Sequence, residues 1–433
     1  MRIKTVTYTG LVALLFPAFA SSQTPATSAE ELSALRQQIE ILQQRLTELE
    51  RAQSQQETIL ANTDDTPRAQ NDISVDEEPN EPVVTFGGAI RTNYSYTSYD
   101  DDSKNRGGDF DFDIFRINMD ASIDDVFLSG EIRFFDYMTA IKYAYAGYNI
   151  DENWQMLVGI TPVPFGNRPY NSQNWFFSTN YYLGLEDDFD LGLLFRRQLK
   201  DSWQLDVGFF KNDELGGVDG YVDNRADRYS YDVVGFRSQD EGIYADPANP
   251  VGEYNTFLGR VAYQFDLYDI NSTIGASVLN GGIHGVEDRE GDYYAWAVHA
   301  EAKWQNWLLQ FQHTEYQYDV GDATQMAVGA YSFFDTIAAQ AKSTTLNLAY
   351  TVSVDWGPVS SLQFYNNYGL VYDKSDDSRN TLMNVTGMAM AAGGLYTYFD
   401  LVTARNQPFA GGSAVGDSGE TEQRFNINIG YYF

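Results

Sequence analysis

The chain has 433 residues, a formal net charge of −33, 15% aromatic residues and a mean hydropathy of −0.39. This excess of carboxylates argues against a nucleic-acid partner, because phosphate binding needs clustered Lys and Arg. The chain has no cysteine, which excludes disulfides and thiol chemistry. The acidity itself fits either solubility in a saline habitat or a cation-related role. An aromatic-rich chain that is polar overall is typical of strands with one apolar and one polar face.

The first twenty residues have the organisation of a signal peptide. Arg2 and Lys4 precede an apolar run, Leu11 to Phe16, and an A-x-A cleavage site ends the segment. The apolar run is too short to cross a bilayer as a helix. We therefore assign residues 1–20 to a signal peptide and predict an exported protein.

A helix is predicted over residues 28–51. It opens with a capping box, Ser28-Ala29-Glu30-Glu31. Apolar residues then repeat at the a and d positions of a heptad: Leu32, Leu35, Ile39, Leu42, Leu46 and Leu49. The pattern favours a short coiled coil, for which a trimer is permitted; the alternative is an amphipathic helix packed on its own domain.

Residues 52–82 are polar and acidic and contain three prolines, Pro67, Pro79 and Pro82. Charge repulsion and proline both keep such a segment extended. We predict an acidic disordered linker between the helix and the rest of the chain.

From residue 83 to residue 433 the apolar pattern has a period of two, as in Leu346, Leu348 and Tyr350. About sixteen such segments follow one another, each near the length that a tilted strand needs to cross a bilayer. The last segment carries its apolar set to the terminal Phe433, which resembles the C-terminal signature of bacterial outer-membrane proteins. The sequence predicts an all-β fold: a transmembrane antiparallel 16-stranded β-barrel over residues 83–433, located in the bacterial outer membrane.

The connections between these segments alternate in length. Short turns are predicted at 124–125, 151–153, 200–201, 268–269, 305–306, 356–358 and 393–394. Long loops are predicted at 100–109, 161–187, 213–253, 281–292, 318–342 and 406–421. Two further connections, near Asp136 and at 373–380, are shorter than the rest of the second group. Short turns on one rim and long loops on the other are typical of an outer-membrane barrel.

The connection at 161–188 is too long for an ordinary loop. It is rich in Pro, Asn and aromatic residues, contains Arg168 as its only basic residue and ends in the acidic cluster Glu186, Asp187 and Asp188. We predict that it folds into the barrel as a constriction loop.

Charged residues on the polar side of the strands are expected to face the pore, because charge on the lipid face costs a few kcal/mol at mid-depth. The acidic ones are Glu131, Asp190 and Asp206. The basic ones are Arg91, Arg116, Arg133, Lys142, Arg196, Arg260, Lys303 and Arg424. Loop acids at 100–102 and 186–188 would then oppose a partly basic wall and create a transverse field. The alternative is that each wall arginine pairs with a neighbouring carboxylate.

The run Gly159 to Gly166, G-x-x-x-V-P-F-G, and the segment from Asn174 to Gly192 resemble the phosphate-selective porin O and P family. That resemblance implies an N-terminal helical segment, a sixteen-stranded barrel, a trimer and a constriction loop after the fifth strand. Phosphate-selective members line the pore with an arginine ladder and a lysine cluster. Basic residues are sparse here, so the resemblance is carried over for the architecture and not for the substrate.

The predicted function is a water-filled channel for passive diffusion of small hydrophilic solutes or ions, without cofactor, metal or enzymatic activity. Its expected partners are outer-membrane lipid, lipopolysaccharide and two further copies of the chain. The alternatives are a selective anion (phosphate) or carbohydrate porin, and an envelope tether with a non-conducting barrel.

Three weaker motifs were set aside. The tetrapeptide at 416–419, G-D-S-G, matches a protease nucleophile, but a triad needs a base and an orienting acid. His284, His299 and His313 lack metal-ligand spacing. The alternating carboxylates at 109–113 lack the glycine and final glutamate of a calcium loop and favour a solvated strand end.

Overall fold

The computed structural model describes residues 82–174, 176–198 and 202–433. The predicted signal peptide, the 28–51 helix and nearly all of the linker lie outside the described residues, as does the turn at 200–201. Within the described part, sixteen antiparallel strands close into one barrel. The prediction of an all-β, sixteen-stranded barrel is confirmed.

Twenty strands are described in all. In chain order they are β1 (Val83–Thr97), β2 (Asp109–Ile123), β3 (Val126–Phe134), β4 (Thr139–Asn149), β5 (Trp154–Pro162), β6 (Phe189–Gln198), β7 (Trp203–Asp213), β8 (Asp232–Phe236), β9 (Asn249–Pro250), β10 (Gly252–Leu267), β11 (Ile270–His284), β12 (Arg289–Trp304), β13 (Trp307–Val320), β14 (Gln325–Ala330), β15 (Phe333–Ala338), β16 (Gln340–Trp356), β17 (Val359–Tyr372), β18 (Thr381–Ala392), β19 (Leu395–Arg405) and β20 (Glu422–Tyr432). Strands β8, β9, β14 and β15 form a separate four-stranded sheet, called here the mouth sheet. The other sixteen follow one another around the barrel, and β1 pairs with β20 to close it.

The barrel is polar inside and apolar outside. In β16, Ser343, Thr345 and Asn347 are almost completely buried, whereas Leu346 and Leu348 are 49% and 43% exposed. A water-soluble protein would place these side chains the other way round. This alternation recurs around the wall and gives the barrel the apolar outer band of a membrane-spanning β-barrel.

Aromatic side chains border the apolar band beside the short turns. Their rings are exposed, and they lie at or next to the ends of strands β7, β10, β12, β13 and β16: Trp203, Tyr268, Trp304, Trp307 and Trp356. Tyr and Trp concentrate where a membrane meets water, because their rings are apolar and their N–H or O–H groups remain hydrated. The short-turn rim is therefore at a membrane–water interface.

The shortest turns have two residues, and their first residue has a positive φ. The values are 50° at Asp124, 55° at Tyr268 and 51° at Gln305. Two-residue hairpins favour this left-handed conformation because it matches the right-handed twist of the flanking strands. The short-turn predictions at 124–125, 268–269 and 305–306 are confirmed.

The long connections contain more structure than expected. The loop after β1 holds a short helix, α1 (Asp101–Arg106), which Asp100 caps at its N-terminus. The connections after β7 and β13 supply the mouth sheet. The prediction of a long loop at 281–292 is wrong, because β11 and β12 continue their ladder to His284 and Arg289 and leave a four-residue connection. No helix in the described part of the chain is long and apolar enough to cross a membrane.

Candidate functional site

The connection between β5 and β6, residues 163–188, lies inside the barrel. Its first part is held by the walls formed by β10, β11 and β13. Arg260 Nε donates to the carbonyl oxygen of Gly166 at 2.9 Å, and the Gly166 N–H donates to Ser277 Oγ at 3.0 Å. The Asn167 N–H donates to the Gln312 side-chain oxygen at 2.8 Å. These wall residues face inward, so the chain leaves β5 towards the lumen.

The middle of this lumen loop reaches strands far from β5 in the barrel order. Asn171 Nδ2 donates to Thr345 Oγ1 at 2.5 Å, and Asn347 Nδ2 donates to the Asn171 carbonyl at 2.6 Å. Asn174 Nδ2 donates to Asp400 Oδ2 at 2.5 Å. The partners belong to β16 and β19, whereas the loop starts at β5 and ends at β6. The loop therefore crosses the lumen and is fixed at both sides by side-chain amides.

The last part of the lumen loop packs against the mouth sheet through aromatic rings. A 3₁₀ turn at Tyr181–Leu183 presents Tyr181 and Tyr182, whose rings lie 5.4 and 5.3 Å from that of Tyr231. The hydroxyl of Tyr181 also contacts that of Tyr331. Aromatic pairs in edge-to-face geometry add about 0.5–1.5 kcal/mol each beyond the area they bury. The mouth sheet thus supports the lumen loop from one side.

Two carboxylates of the wall, Asp206 and Glu131, each lie close to several arginines. Asp206 on β7 lies 3.8 Å from Arg168, 3.1 Å from Arg196 and 3.3 Å from Arg260. This first cluster contains three positive charges and one negative charge.

The second cluster is on β3 and its neighbour β2. Glu131 lies 3.3 Å from Arg116 and 2.5 Å from Arg133. The guanidinium of Arg133 also stacks over the ring of Tyr229, 4.3 Å from its centroid. The two clusters together hold five arginines against two carboxylates.

Three of these five arginines reach water inside the barrel. The side chains of Arg116, Arg168 and Arg196 are 19%, 20% and 15% exposed. The side chains of Arg133 and Arg260 are 3% exposed, so they pair with Glu131 and Asp206 from buried positions. The water-accessible part of the two clusters, contributed by the wall residues Arg116 and Arg196 and by Arg168 of the lumen loop, is therefore positively charged.

The remaining basic residues predicted to face the pore occupy different surroundings. Arg91 pairs with Asp113 at 2.9 Å. Lys142 has a fully buried side chain and lies 3.1 Å from Asp187. Lys303 is 58% exposed beside the short turn after β12, and Arg424 donates to the Phe409 carbonyl at 3.1 Å. The alternative of pairing each wall arginine with a nearby carboxylate describes Arg91 and the two clusters, with an excess of positive charge in the clusters.

Of the loop carboxylates at 186–188, Asp187 faces basic residues of the wall and Glu186 is bound within the loop. Glu186 is 6% exposed and accepts hydrogen bonds from Ser178 Oγ and from the Asn171 N–H, the latter at 2.8 Å. Burial raises the pKa of Glu186 to about 8, so it carries little negative charge at neutral pH. Asp187 is bound by Lys142 and by the Tyr229 hydroxyl at 2.5 Å.

The acids at 100–102 also differ from the expected arrangement, because they cap and begin the outer helix α1. Asp101 pairs with Lys104 on that helix at 2.7 Å. These three acids therefore lie on the outer helix, and the predicted transverse field between loop acids and a partly basic wall stays a prediction. The carboxylates at ion-pair distance from the five clustered arginines are the wall residues Glu131 and Asp206.

Sequence reasoning missed a buried ionic centre beneath the mouth sheet. The Arg228 side chain is fully buried and lies 2.9 Å from Asp213, 3.3 Å from Glu214 and in direct contact with Asp232. Arg225 contacts the same Asp213 carboxylate. Strands β8 and β14 each contain a short apolar run that a sequence pattern can detect. Such a local pattern does not reveal that two segments so far apart in the chain pair with each other.

The motifs set aside have ordinary partners. Ser418 exchanges hydrogen bonds with the Asn406 side chain, its N–H donating at 3.0 Å and its carbonyl accepting at 3.1 Å. His313 lies 3.0 Å from Thr344 Oγ1, and His299 is 4% exposed on the inward side of β12. Asp113, from the acidic strand segment, is the partner of Arg91.

Comparison with known proteins gives a fold and no sequence family. Neither a protein-family model nor a curated protein sequence matches the chain. The outer-membrane channel DcaP of Acinetobacter baumannii is 13% identical, with a TM-score of 0.52 over 81% of this chain and 97% of that one. OprB of Pseudomonas putida is 10% identical, with a TM-score of 0.50 over 81% of this chain and 94% of that one.

A third similar structure is the anion-selective porin from Comamonas acidovorans, 14% identical, with a TM-score of 0.49 over 82% of this chain and all of that one. At such low identity a likeness in structure speaks for the architecture alone. Together with the closed sixteen-stranded barrel and its apolar outer band, it gives the conclusion that this chain has the fold of an outer-membrane porin.

Proposed function

We propose that the protein is a channel of the bacterial outer membrane through which small hydrophilic solutes or ions diffuse passively. The observation that carries this proposal is the water exposure of three arginines inside the barrel: Arg116 and Arg196 on the wall, and Arg168 on the loop that crosses the lumen. Hydrated charge within an apolar exterior is what an aqueous path through a membrane requires. The lumen loop acts as the constriction, because its amides bind both sides of the wall.

We further propose a preference for anions along this wall. The clusters at Glu131 and Asp206 carry a net positive charge when all their members are ionised. A charged pore lining raises the local concentration of ions of opposite sign. The sequence resembles the phosphate-selective porin O and P family at Gly159–Gly166 and at Asn174–Gly192. We do not extend the proposal to selectivity for phosphate.

A homotrimer is the assembly proposed for the chain, with lipid and lipopolysaccharide around its exterior. The heptad pattern at 28–51 supports a trimer, since mixed Leu and Ile cores are compatible with three strands. In this proposal the barrel is a channel and not an enzyme.

The deciding experiment is single-channel recording of the purified protein in planar bilayers. We expect discrete, ohmic conductance steps and a reversal potential in a KCl gradient that indicates anion preference. A barrel that inserts without conducting would overturn the channel proposal and favour an envelope tether. A cation-selective reversal potential would overturn only the charge preference.

A further inference from the structure

Three carboxylates converge where the lumen loop, the barrel wall and the mouth sheet meet. Asp188 ends the lumen loop, Asp190 lies near the start of β6, and Asp232 begins β8 of the mouth sheet. One carboxylate oxygen from each lies within 4.8 Å of the other two. Each of the three residues thus belongs to a different structural element.

Asp190 has a buried carboxylate oxygen that no hydrogen-bond donor of the described residues reaches. Its residue is 4% exposed, and its Oδ1 atom is buried without a hydrogen-bond partner among the described residues. The same holds for Oγ1 of Thr161, which pairs with Asp190 across β5 and β6. A buried carboxylate oxygen without a donor loses its hydration and gains nothing in return. A positively charged ligand between the carboxylates would supply that interaction.

The surroundings add more negative charge than the protein neutralises. Glu214 and Glu253 lie close enough to interact electrostatically with both Asp188 and Asp190. Asp213 is held by Arg225 and Arg228, and Arg228 also contacts Glu214 and Asp232. The region therefore holds six carboxylates and two guanidiniums.

We propose that Asp188, Asp190 and Asp232 bind a divalent cation, and that the cation is calcium. Calcium binds carboxylate oxygens at about 2.3–2.6 Å, so oxygens on opposite sides of the ion lie about 5 Å apart. Magnesium, at about 2.0–2.1 Å, brings opposite ligands to about 4 Å and retains several waters. The three oxygens, all within 4.8 Å of one another, can reach one ion, and a buried set of carboxylates suits calcium because magnesium gives up its waters reluctantly.

The bound cation fastens the exit of the lumen loop to the wall and to the mouth sheet. The base of the loop is closed by a hydrogen bond of 2.9 Å, in which the Val163 N–H donates to the carbonyl oxygen of Asp188. A cation that binds the folded arrangement and not the unfolded chain stabilises the fold by mass action. The site is independent of the arginine clusters and hence of the proposed anion preference.

The test uses full-length protein refolded from denaturant, free of lipopolysaccharide, because lipopolysaccharide itself binds calcium. After removal of metal with EDTA, calcium chloride is titrated in by calorimetry at neutral pH, and thermal unfolding is followed with and without calcium. We expect saturable binding of one calcium ion per chain, a higher unfolding temperature with calcium, and weaker binding of magnesium.

Two variants locate the site. Asp190→Asn and Asp188→Asn should each weaken calcium binding by more than about tenfold, since even groups that only support a metal ligand contribute that much. Asp335→Asn is the matched control, because Asp335 is a buried carboxylate of the same mouth sheet whose Oδ1 accepts from Ser413 and from the Thr336 N–H, and it is not one of the three converging carboxylates. It should bind calcium as the wild type does.

Absence of saturable calcium binding to the wild type would overturn the proposal, whatever the variants do. Binding that persists unchanged in both Asp190→Asn and Asp188→Asn would also overturn it. Equal binding of magnesium and calcium would overturn the choice of ion. Channel conductance measured on the same samples tests the proposed function separately, since it does not depend on this site.

Discussion

Replacing Arg196 with glutamine tests whether the arginine wall sets the charge preference of the channel. Arg196 is chosen because it is 15% exposed to the lumen and because Asp206 retains two other arginines, Arg168 and Arg260, when it is lost. The fold should therefore tolerate the change. The variant removes one positive charge from the water-exposed wall and leaves no buried carboxylate without a partner.

The size of the effect follows from the distance of closest approach. A unit charge about 4 Å from a passing ion contributes about 1 kcal/mol in water-like surroundings, and more where the local dielectric is lower. A free-energy difference of about 1.4 kcal/mol corresponds to a factor of ten. Losing about 1 kcal/mol of attraction for the anion alone lowers the anion-to-cation permeability ratio about fivefold, so we expect a fall of at least that size in Arg196→Gln. The effect should shrink in concentrated salt, because the screening length decreases from about 10 Å at 0.1 M to about 3 Å at 1 M.

The assay is the reversal potential in planar bilayers under a KCl gradient, measured at low and high mean salt. Lys303→Gln is the matched control, since it removes the same charge from a side chain that is 58% exposed at the short-turn rim. Its reversal potential should stay close to that of the wild type. An unchanged ratio in Arg196→Gln, or an equal change in Lys303→Gln, would refute the assignment of selectivity to the arginine clusters.

Three further predictions concern the loop, pH and the N-terminal segment. Replacing residues 165–186 with a short glycine-serine linker should raise single-channel conductance severalfold, because Val163 and Asp188 are hydrogen-bonded at 2.9 Å and the base of the loop can close; an unchanged conductance would show that the loop does not limit flow. Burial raises the pKa of Asp335 from 3.8 to about 7, so its contribution to stability is complete below pH ~4 and is lost as the pH rises through 7. The wild type should therefore lose roughly 4 kcal/mol relative to Asp335→Asn between pH ~4 and ~8, and chemical unfolding that shows parallel pH profiles for the two proteins would contradict this. Deleting residues 29–51 should leave conductance unchanged and lower the temperature at which the oligomer dissociates on gels, and an unaltered dissociation temperature would remove the trimerisation role.

Much of the barrel could be predicted locally, because lipid and water act on alternate residues of the same strand. Leu346 and Leu348 face outward, and Thr345 and Asn347 face inward, as their period of two indicates. The error at 281–292 arose from glycine and charged residues that suggested a loop, whereas cross-strand pairing continued to His284 and Arg289. Local composition underestimates the length of a strand when the neighbouring strands supply its hydrogen bonds.

The partners of the pore residues were less predictable than their direction. Alternation indicated that Arg116, Arg133 and Arg196 point inward, but it carried no information on depth. The shared carboxylates, Glu131 and Asp206, became visible only through strand register. The same limit explains why the acids at 186–188 were expected opposite the arginines, although the folded loop turns them towards Ser178, Lys142 and the mouth sheet.

By itself, the sequence determined that this chain is a sixteen-stranded barrel with an apolar exterior and an overlong connection after the fifth strand. Periodicity and turn chemistry are local, and a membrane imposes them on every strand in turn. Only the tertiary structure decided that β8 pairs with β14, nearly a hundred residues away, and that Asp188, Asp190 and Asp232 converge beneath that sheet. Such contacts depend on which loops meet in the barrel mouth, and no short stretch of sequence encodes that meeting.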